Sequence, residues 1–171
     1  ADIRIVHEAR KGKGAALQRG FDEATGDIIV MLDADGSADS AEIDAFVVAL
    51  VSGADFAKGS RFLPGGGSVD LTLIRDAGNR ALTAIVNTVC QTRYTDLCYG
   101  YNAFWRDCLE FIPVDVDGFE VETRLNMLIA GSGLAVVEVP SHEFRRVYGH
   151  SNLNVIRDGW RVLRTIVRPA R

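Results

Sequence analysis

Asp27-Ile28-Ile29-Val30-Met31-Leu32-Asp33-Ala34-Asp35-Gly36-Ser37 is the stretch that decides the fold. Its five consecutive apolar residues, Ile28 to Leu32, have the length and side-chain type of a strand buried on both faces, and the run breaks into two carboxylates separated by Ala34. A strand sets residues i and i+2 on one side, so Asp33 and Asp35 are expected to present their oxygens together where the strand meets solvent, with Gly36 turning the backbone away. Two close carboxylates repel unless a cation lies between them. A hard divalent ion, Mg2+ or Mn2+, suits the pair, because it takes one or two carboxylates and completes its shell from substrate phosphates. An acidic turn capping the next helix is the plainer alternative. The cation reading also has a clear structural counter-case: side chains turned apart, or a lysine filling the space between them.

Working outward, Ile3 to Val6 reads as a short strand, and Lys11-Gly-Lys-Gly leads into a helix with apolar positions Ala16, Leu17, Phe21 and Ala24. The Lys-Gly-Lys-Gly run lacks the spacing of a Walker loop and by itself is a basic turn. After the paired acids, Asp39-Ser-Ala-Glu42 has capping-box spacing and opens a helix through Phe46 and Leu50 that Gly53 closes. Ala54 to Lys58 is a further strand, delivering Arg61 at its end. Strand and helix in alternation predict parallel strands covered by helices, with ligands gathering at the carboxyl ends of the strands. Pro64-Gly-Gly-Gly-Ser68 reads as a loop, and Leu71 to Cys90 as a helix burying Ile74, Ala77, Leu82, Ile85, Val86 and Val89, with Arg75, Asn79 and Arg80 off that stripe. Tyr94 to Trp105 holds five aromatics around Gly100 and suggests a strand pair beside a pocket. A helix from Phe119 carries Glu120 and Glu122 in its first turns, and Leu134 to Val139 is a last strand.

Composition narrows the classes. With 171 residues, 47% hydrophobic and 25% charged, the chain suits one globular domain. Cys90, Cys98 and Cys108 form no Cys-x-x-Cys pair, which indicates neither a disulfide framework nor a zinc site. No apolar run approaches the ~20 residues of a membrane span. The net charge of -4 is unevenly placed: residues 145–171 carry seven Arg against one Asp, leaving 12 Lys/Arg against 22 Asp/Glu in residues 1–144. In that tail, arginines recur at helical spacing beside Ile156, Trp160, Leu163, Ile166 and Val167, an amphipathic basic helix that either packs on the core or lies on anionic lipid. The acidic body and the lack of a helix-turn-helix or RNA-recognition pattern argue against nucleic acid.

Taken in order, Lys11-Gly-Lys-Gly-Ala, Gly26-Asp27 with Met31-Leu-Asp-Ala-Asp35, Lys58-Gly-Ser-Arg61, Thr95-Asp96 with Gly100-Tyr101, Phe119-Glu-Val-Glu122, and Glu138-Val-Pro followed by Arg146-Val-Tyr-Gly-His-Ser-Asn-Leu153 resemble the inverting family 2 glycosyltransferases, in their dolichol-phosphate mannosyltransferase-like branch. The resemblance implies an α/β GT-A fold: a Rossmann-like, mixed but mainly parallel sheet with helices on both faces. It also implies a catalytic domain over 1–153, truncated ahead of its first nucleotide-binding strand and helix, and a C-terminal basic helix over 154–171. By the same resemblance the donor is a nucleotide-diphosphate sugar and the acceptor a polyprenyl phosphate at a membrane surface. This places the protein in the cytoplasm, peripheral at the inner face of the cell membrane. Asp33 and Asp35 would hold Mg2+ or Mn2+, with Lys13 and Arg61 on the donor diphosphate; Arg75, Asn79, Arg146 and Ser151 would take the acceptor phosphate. Three positions depart from the pattern: Ser37 stands where many relatives have Gln, Asn102 where an Arg often follows the Gly-Tyr pair, and Ser151-Asn152 where Ser-Lys is expected.

The implied reaction is a single displacement at the anomeric carbon. A phosphate monoester, with a second pKa of about 6, needs no strong base, whereas a hydroxyl acceptor does, and Asp96 and then Glu122 are the candidates. Two rivals stand beside this reading. A haloacid-dehalogenase-like phosphatase would use Asp33 and Asp35 as nucleophile and acid but needs a downstream acidic pair that the chain lacks. A non-catalytic fragment would bind or form a homodimer through an exposed sheet edge.

Overall fold

The structure, a computed structural model, describes residues 3–149 and 154–167. Residues 3–12 form no strand, and Ile3 and Ile5 are almost wholly exposed, contrary to the expectation for Ile3 to Val6. A strand exists only through a ladder, and none of the strands among the described residues pairs with this segment.

Helix α1 (Lys13–Glu23) leads to β1 (Ile28–Met31), and a 3-10 turn (Ser40–Glu42) opens α2 (Ile43–Val51). Strand β2 (Phe56–Ser60), a two-residue β3 (Gly67–Ser68) and the long α3 (Leu73–Cys90) follow. Then come β4 (Asn102–Trp105), α4 (Val121–Ser132), β5 (Val136–Pro140), a two-residue β6 (His142–Glu143) and α5 (Val155–Val167). The main sheet has the order β1-β4-β2-β5. Strand β2 runs parallel to β5, and β4 runs against both β1 and β2, so three strands share one direction in a mixed sheet. The carboxyl ends of β1, β2 and β5 therefore lie along one edge, together with the entry to β4.

Both faces of the sheet are covered. Phe46 and Leu50 of α2 pack with Ala57, Tyr101 and Ala103 on one side, where Phe46 stacks on Tyr101 at 4.4 Å. On the other, Phe21 of α1 and Val121, Leu125 and Ile129 of α4 enclose Ile29, Phe56 and Phe104. A third cluster joins α3, α4 and α5 through Val86, Met127, Val162 and Ile166. These buried side chains stabilise the fold by roughly 1.5–3 kcal/mol apiece.

Several local expectations change. Asp39 caps the 3-10 turn by accepting from Ala41 N, but Glu42 does not complete a capping box: it reaches across to Ser141 Oγ and to the backbone N of His142. Tyr94 to Tyr101 is a loop leading into the single strand β4, not a strand pair, because its polar groups are satisfied by side chains such as Glu138, which accepts from Thr95 N. Helix α3 buries Asn79, Thr83 and Val86, whereas Ile74, Ile85 and Val89 are exposed. Asn79 explains that rotation: its amide donates to Asp96 Oδ1 at 3.0 Å and its carbonyl accepts from Cys98 N at 2.9 Å. On α5 the buried side chains are Asp158, Val162 and Ile166, whereas Ile156 and Trp160 of the expected apolar side face solvent.

Candidate active site

Strand β1 ends at Met31, so the paired acids stand on the turn after it and not on the strand itself. Gly36, with φ +81°, makes that turn, and Asp35 Oδ1 accepts from Ser37 N at 2.9 Å. A second segment is laid on the turn: the backbone N–H groups of Val147 and Tyr148 donate to the Asp35 carbonyl, and Phe144 N donates to the Ser37 carbonyl. That pairing carries Arg146 to Asp35, with Nη2 3.0 Å from Oδ2. Burial pushes the Asp35 carboxyl up, but the Ser37 bonds and Arg146 together hold it below its ordinary value.

Lys13, at the first position of α1, places Nζ 2.6 Å from Asp33 Oδ1 and 2.5 Å from Glu122 Oε1. Burial alone would depress its pKa, yet Glu122 and Asp33 outweigh burial and raise it, which keeps the ammonium charged. Gly100 leaves the room for this triad, since a Cβ there would lie 2.9 Å from Lys13 Nζ and 3.3 Å from Glu122 Oε1. The two glycines of the Lys-Gly-Lys-Gly run serve packing: Gly14 N donates to the Asp117 carbonyl at 2.9 Å, and a Cβ would fall 1.9 Å from the Asp117 carbonyl oxygen on Gly12 and 1.8 Å from that of Val116 on Gly14.

Behind these groups lies a buried network. Asp96 accepts from Arg61 Nε at 2.7 Å and Nη2 at 3.0 Å, from Arg61 N at 3.2 Å and from Asn79 Nδ2 at 3.0 Å. Burial pushes the Asp96 carboxyl up, and Arg61 reverses this and holds it below its ordinary value. Arg61 Nη1 also donates to Glu143 Oε2 at 2.9 Å, and Ser68 Oγ donates to the same oxygen at 2.6 Å. Lys58, fully buried in the row that runs Asn102, Lys58, Glu138 across the sheet, has its pKa lowered by burial.

One cavity of about 380 Å3 brings together Lys13, Asp33, Asp35, Arg61, Arg75, Asn79, Glu122 and Arg146. Asp96 does not line it; with both oxygens occupied and no exposed surface, it fastens Arg61 and is not placed to accept a proton from a ligand. Ser151 lies outside the described residues, as do Arg168 and Arg171. Tyr99, from the aromatic stretch expected beside a pocket, and Phe119, from the quoted motif, also line the cavity, as do Glu143 and Asp158, which sequence reasoning missed. Glu143 had one signal, its place just past the Glu-Val-Pro stretch at the end of β5; Asp158 had none, because it enters through the packing of α5.

Among the described residues no three His, Cys, Asp or Glu side chains converge on a ready metal centre. The lysine that counts against a cation is present: Lys13 sits on Asp33, and Arg146 sits on Asp35, so a metal would compete with both. The donor set nevertheless fits an ion of the Mg2+ or Mn2+ kind that takes two carboxylates and borrows the rest of its shell from phosphate and water. Charge balance points the same way. The lining has four basic side chains, Lys13, Arg61, Arg75 and Arg146, against five acids, Asp33, Asp35, Glu122, Glu143 and Asp158. Four basic against five acidic side chains leave this lining formally one charge negative, and a bound divalent cation would turn it positive.

The sequence profile described as glycosyl transferase family 2 matches residues 1–112. Glycosyltransferase AglJ of Haloferax volcanii is 28% identical over all of this chain and 57% of its own length. Polyprenol monophosphomannose synthase of Mycolicibacterium smegmatis is 31% identical over 89% of this chain and 60% of its own. The chain thus spans less than two thirds of these relatives. A crystal structure of glucosyl-3-phosphoglycerate synthase from Mycobacterium tuberculosis with Mn2+, uridine-diphosphate-glucose and glycerol 3-phosphate superposes with a TM-score of 0.67 over 92% of this chain and 55% of that one, at 23% identity. The likeness to that structure is one of fold, the GT-A arrangement of a mixed sheet between helices.

Proposed function

Because this chain belongs to glycosyl transferase family 2, we propose that its cavity moves a sugar from a nucleotide-diphosphate donor to a polyprenyl-phosphate acceptor, with inversion and with the help of a divalent metal. The observation that carries the reading is the single cavity in which two aspartates stand among four cationic side chains beside an apolar wall of Leu71, Ile74, Leu82 and Val162. Charged groups suit phosphates, and the apolar wall suits the first carbons of a lipid. The polyprenol synthase named above supports the acceptor class, and the Mn2+ and uridine-diphosphate-glucose complex supports the donor class and the metal. The phosphatase alternative draws no support from the family or from the site, where both aspartates are held by cations.

Asp33 and Asp35 would hold Mg2+ or Mn2+, and such an ion would supply positive charge to offset that building on a leaving nucleoside diphosphate. Lys13 and Arg146, each within reach of one aspartate, turn part of their charge to phosphate oxygens. Arg61, whose Nε and Nη2 are engaged by Asp96 and whose Nη1 is engaged by Glu143, lines the cavity and lends its positive charge to the donor side. Arg75 and Asn79 line the cavity on the side assigned to the acceptor phosphate: Arg75 Nη1 donates to the Asp70 carbonyl at 3.2 Å and lies 3.7 Å from its carboxylate, and Asn79 is anchored by Asp96 and Cys98 N. Glu122 positions Lys13. It is also the one carboxylate of the two expected proton acceptors that reaches the cavity, so it serves if the acceptor carries a hydroxyl.

Incubation with a panel of nucleotide sugars, Mn2+ and polyprenyl phosphate tests the reading. Release of nucleoside diphosphate with a glycolipid of inverted anomeric configuration, read by NMR, is expected. No turnover with any donor, with or without Mn2+, overturns it.

A further inference from the structure

We propose that Lys13 and Arg146 are built-in counterions that keep a bare divalent cation off Asp33 and Asp35, and that they release the aspartates only to a cation that arrives with a diphosphate. This deepens the donor reading and rests on it for the diphosphate; the counterion role itself is measurable with the metal alone.

Both cations are fixed by backbone. Lys13 stands between Gly12 and Gly14, where a Cβ would fall 1.9 Å from the Asp117 carbonyl oxygen and 1.8 Å from that of Val116. Neither contact can open without moving the loop before α4, so the Lys13 backbone is clamped and only its side chain can swing away. Its ammonium lies between Asp33 Oδ1 and Glu122 Oε1, at 2.6 and 2.5 Å, in a sheltered place where the Glu122 side chain is 5% exposed. Arg146 is delivered by the segment that bonds the aspartate turn on either side of it, through Phe144 N to the Ser37 carbonyl and through Val147 N and Tyr148 N to that of Asp35. Its Nη2 meets Asp35 Oδ2 at 3.0 Å while Ser37 N meets Oδ1, so both oxygens of Asp35 are engaged. Solvent pairs such as Arg80 with Asp76 form wherever long side chains meet, whereas these two are set by the fold.

Charge then decides what can displace them. Asp33, Asp35 and Glu122 together with Lys13 and Arg146 leave the group one charge negative. A bare divalent ion would make it one charge positive, with an ammonium and a guanidinium pressed against the ion and stripped of their partners. The phosphates of a nucleotide sugar carry one negative charge each, so ion and diphosphate together return the group to its starting charge. In that exchange the carboxylates pass to the ion, Lys13 and Arg146 pass to the phosphates, and every charge keeps a partner. A diphosphate without the ion fails for the mirror reason, since its charge would face three carboxylates.

Unbound Mn2+ measured by electron paramagnetic resonance, first without and then with each of a panel of nucleoside diphosphates, is the test. Alone, Mn2+ should bind the wild type weakly and bind Lys13→Met and Arg146→Gln at least about tenfold more tightly, because each variant removes a positive charge next to the ion. Arg146→Lys, which keeps the charge, should stay weak. With the matching nucleoside diphosphate the order should invert: the wild type takes up Mn2+ tightly and both variants lose about tenfold or more. Lys13→Met also strips Glu122 of its partner, so Mn2+ should raise the melting temperature of that variant and leave that of the wild type unchanged, which reads the same effect in a destabilised protein. Free Mn2+ bound as tightly by the wild type as by the variants, or substitutions that weaken Mn2+ binding both with and without nucleotide, overturns the proposal. Variants that tighten on free Mn2+, beside a wild type that responds to no nucleoside diphosphate, strike the donor reading and leave the counterion role standing.

Discussion

Asp96 accepts both a side-on pair of bonds from Arg61 and the amide of Asn79, in a place without solvent. Breaking a buried pair by removing one charge leaves the other uncompensated, so Asp96→Asn should lower stability by roughly 3–5 kcal/mol in urea denaturation. The same residue gives a pH signature. Its folded pKa is depressed, so its contribution is complete above the ordinary carboxylate value and is lost as pH falls through the folded value. The wild-type urea midpoint should therefore drop steeply in acid, whereas Asp96→Asn starts lower and falls less; parallel curves would contradict the assignment. Gly100→Ala tests the other side of the site. Its Cβ would press on the mobile end of Lys13, 2.9 Å away, and not on backbone, so stability should change by less than about 1 kcal/mol while donor affinity falls. At this scale the aspartate pair could be singled out from the residues themselves, whereas Arg61, Arg75 and Arg146, plain surface residues by their local pattern, were singled out only through the family resemblance; all five line the one cavity. The division of labour between Asp96 and Glu122 was not, since burial and the Arg61 fork arise only in the folded chain.

Helix α1 and the loop before α4 meet through backbone, which makes glycine necessary at the contact. Gly14→Ala would drive a Cβ to 1.8 Å from the Val116 carbonyl, and the loop at Val116 and Asp117 would have to retreat. The expected cost is about 1–3 kcal/mol, with amide exchange accelerated in α1 and the adjoining loop. A melting temperature equal to that of wild type would rule this contact out as structural. Elements whose apolar pattern reports their own burial, α2, β2 and α4, could be read from sequence; β1 was recognised as a strand but not as one at the end of its sheet, where its residues alternate half-buried and buried and Leu32 beyond it is exposed. Ile3 to Val6 and Tyr94 to Tyr101 could not, because strand character in a short run is realised only by a partner. The face of α3 was misjudged because Asn79 and Thr83, polar in the sequence, are buried by bonds to Asp96 and to the Asn79 carbonyl.

At the scale of the molecule, the parallel strands bring the aspartate turn, Arg61 and Arg146 to one edge of the sheet, and α3 and α5 close the far side of the cavity with apolar surface. The cavity is thereby built from segments spread over most of the chain, with basic and acidic side chains nearly balanced. On the proposed reading, a divalent cation would tip that balance toward a diphosphate. Calorimetric titration with nucleotide sugars, in Mn2+ and again in chelator, measures this most directly. At least one donor should bind in Mn2+ and lose its heat in chelator, with affinity falling tenfold or more in Asp33→Asn and Asp35→Asn, about 1.4 kcal/mol at the least. Binding that is indifferent to chelator and to both substitutions, or absent for every donor, would contradict the account.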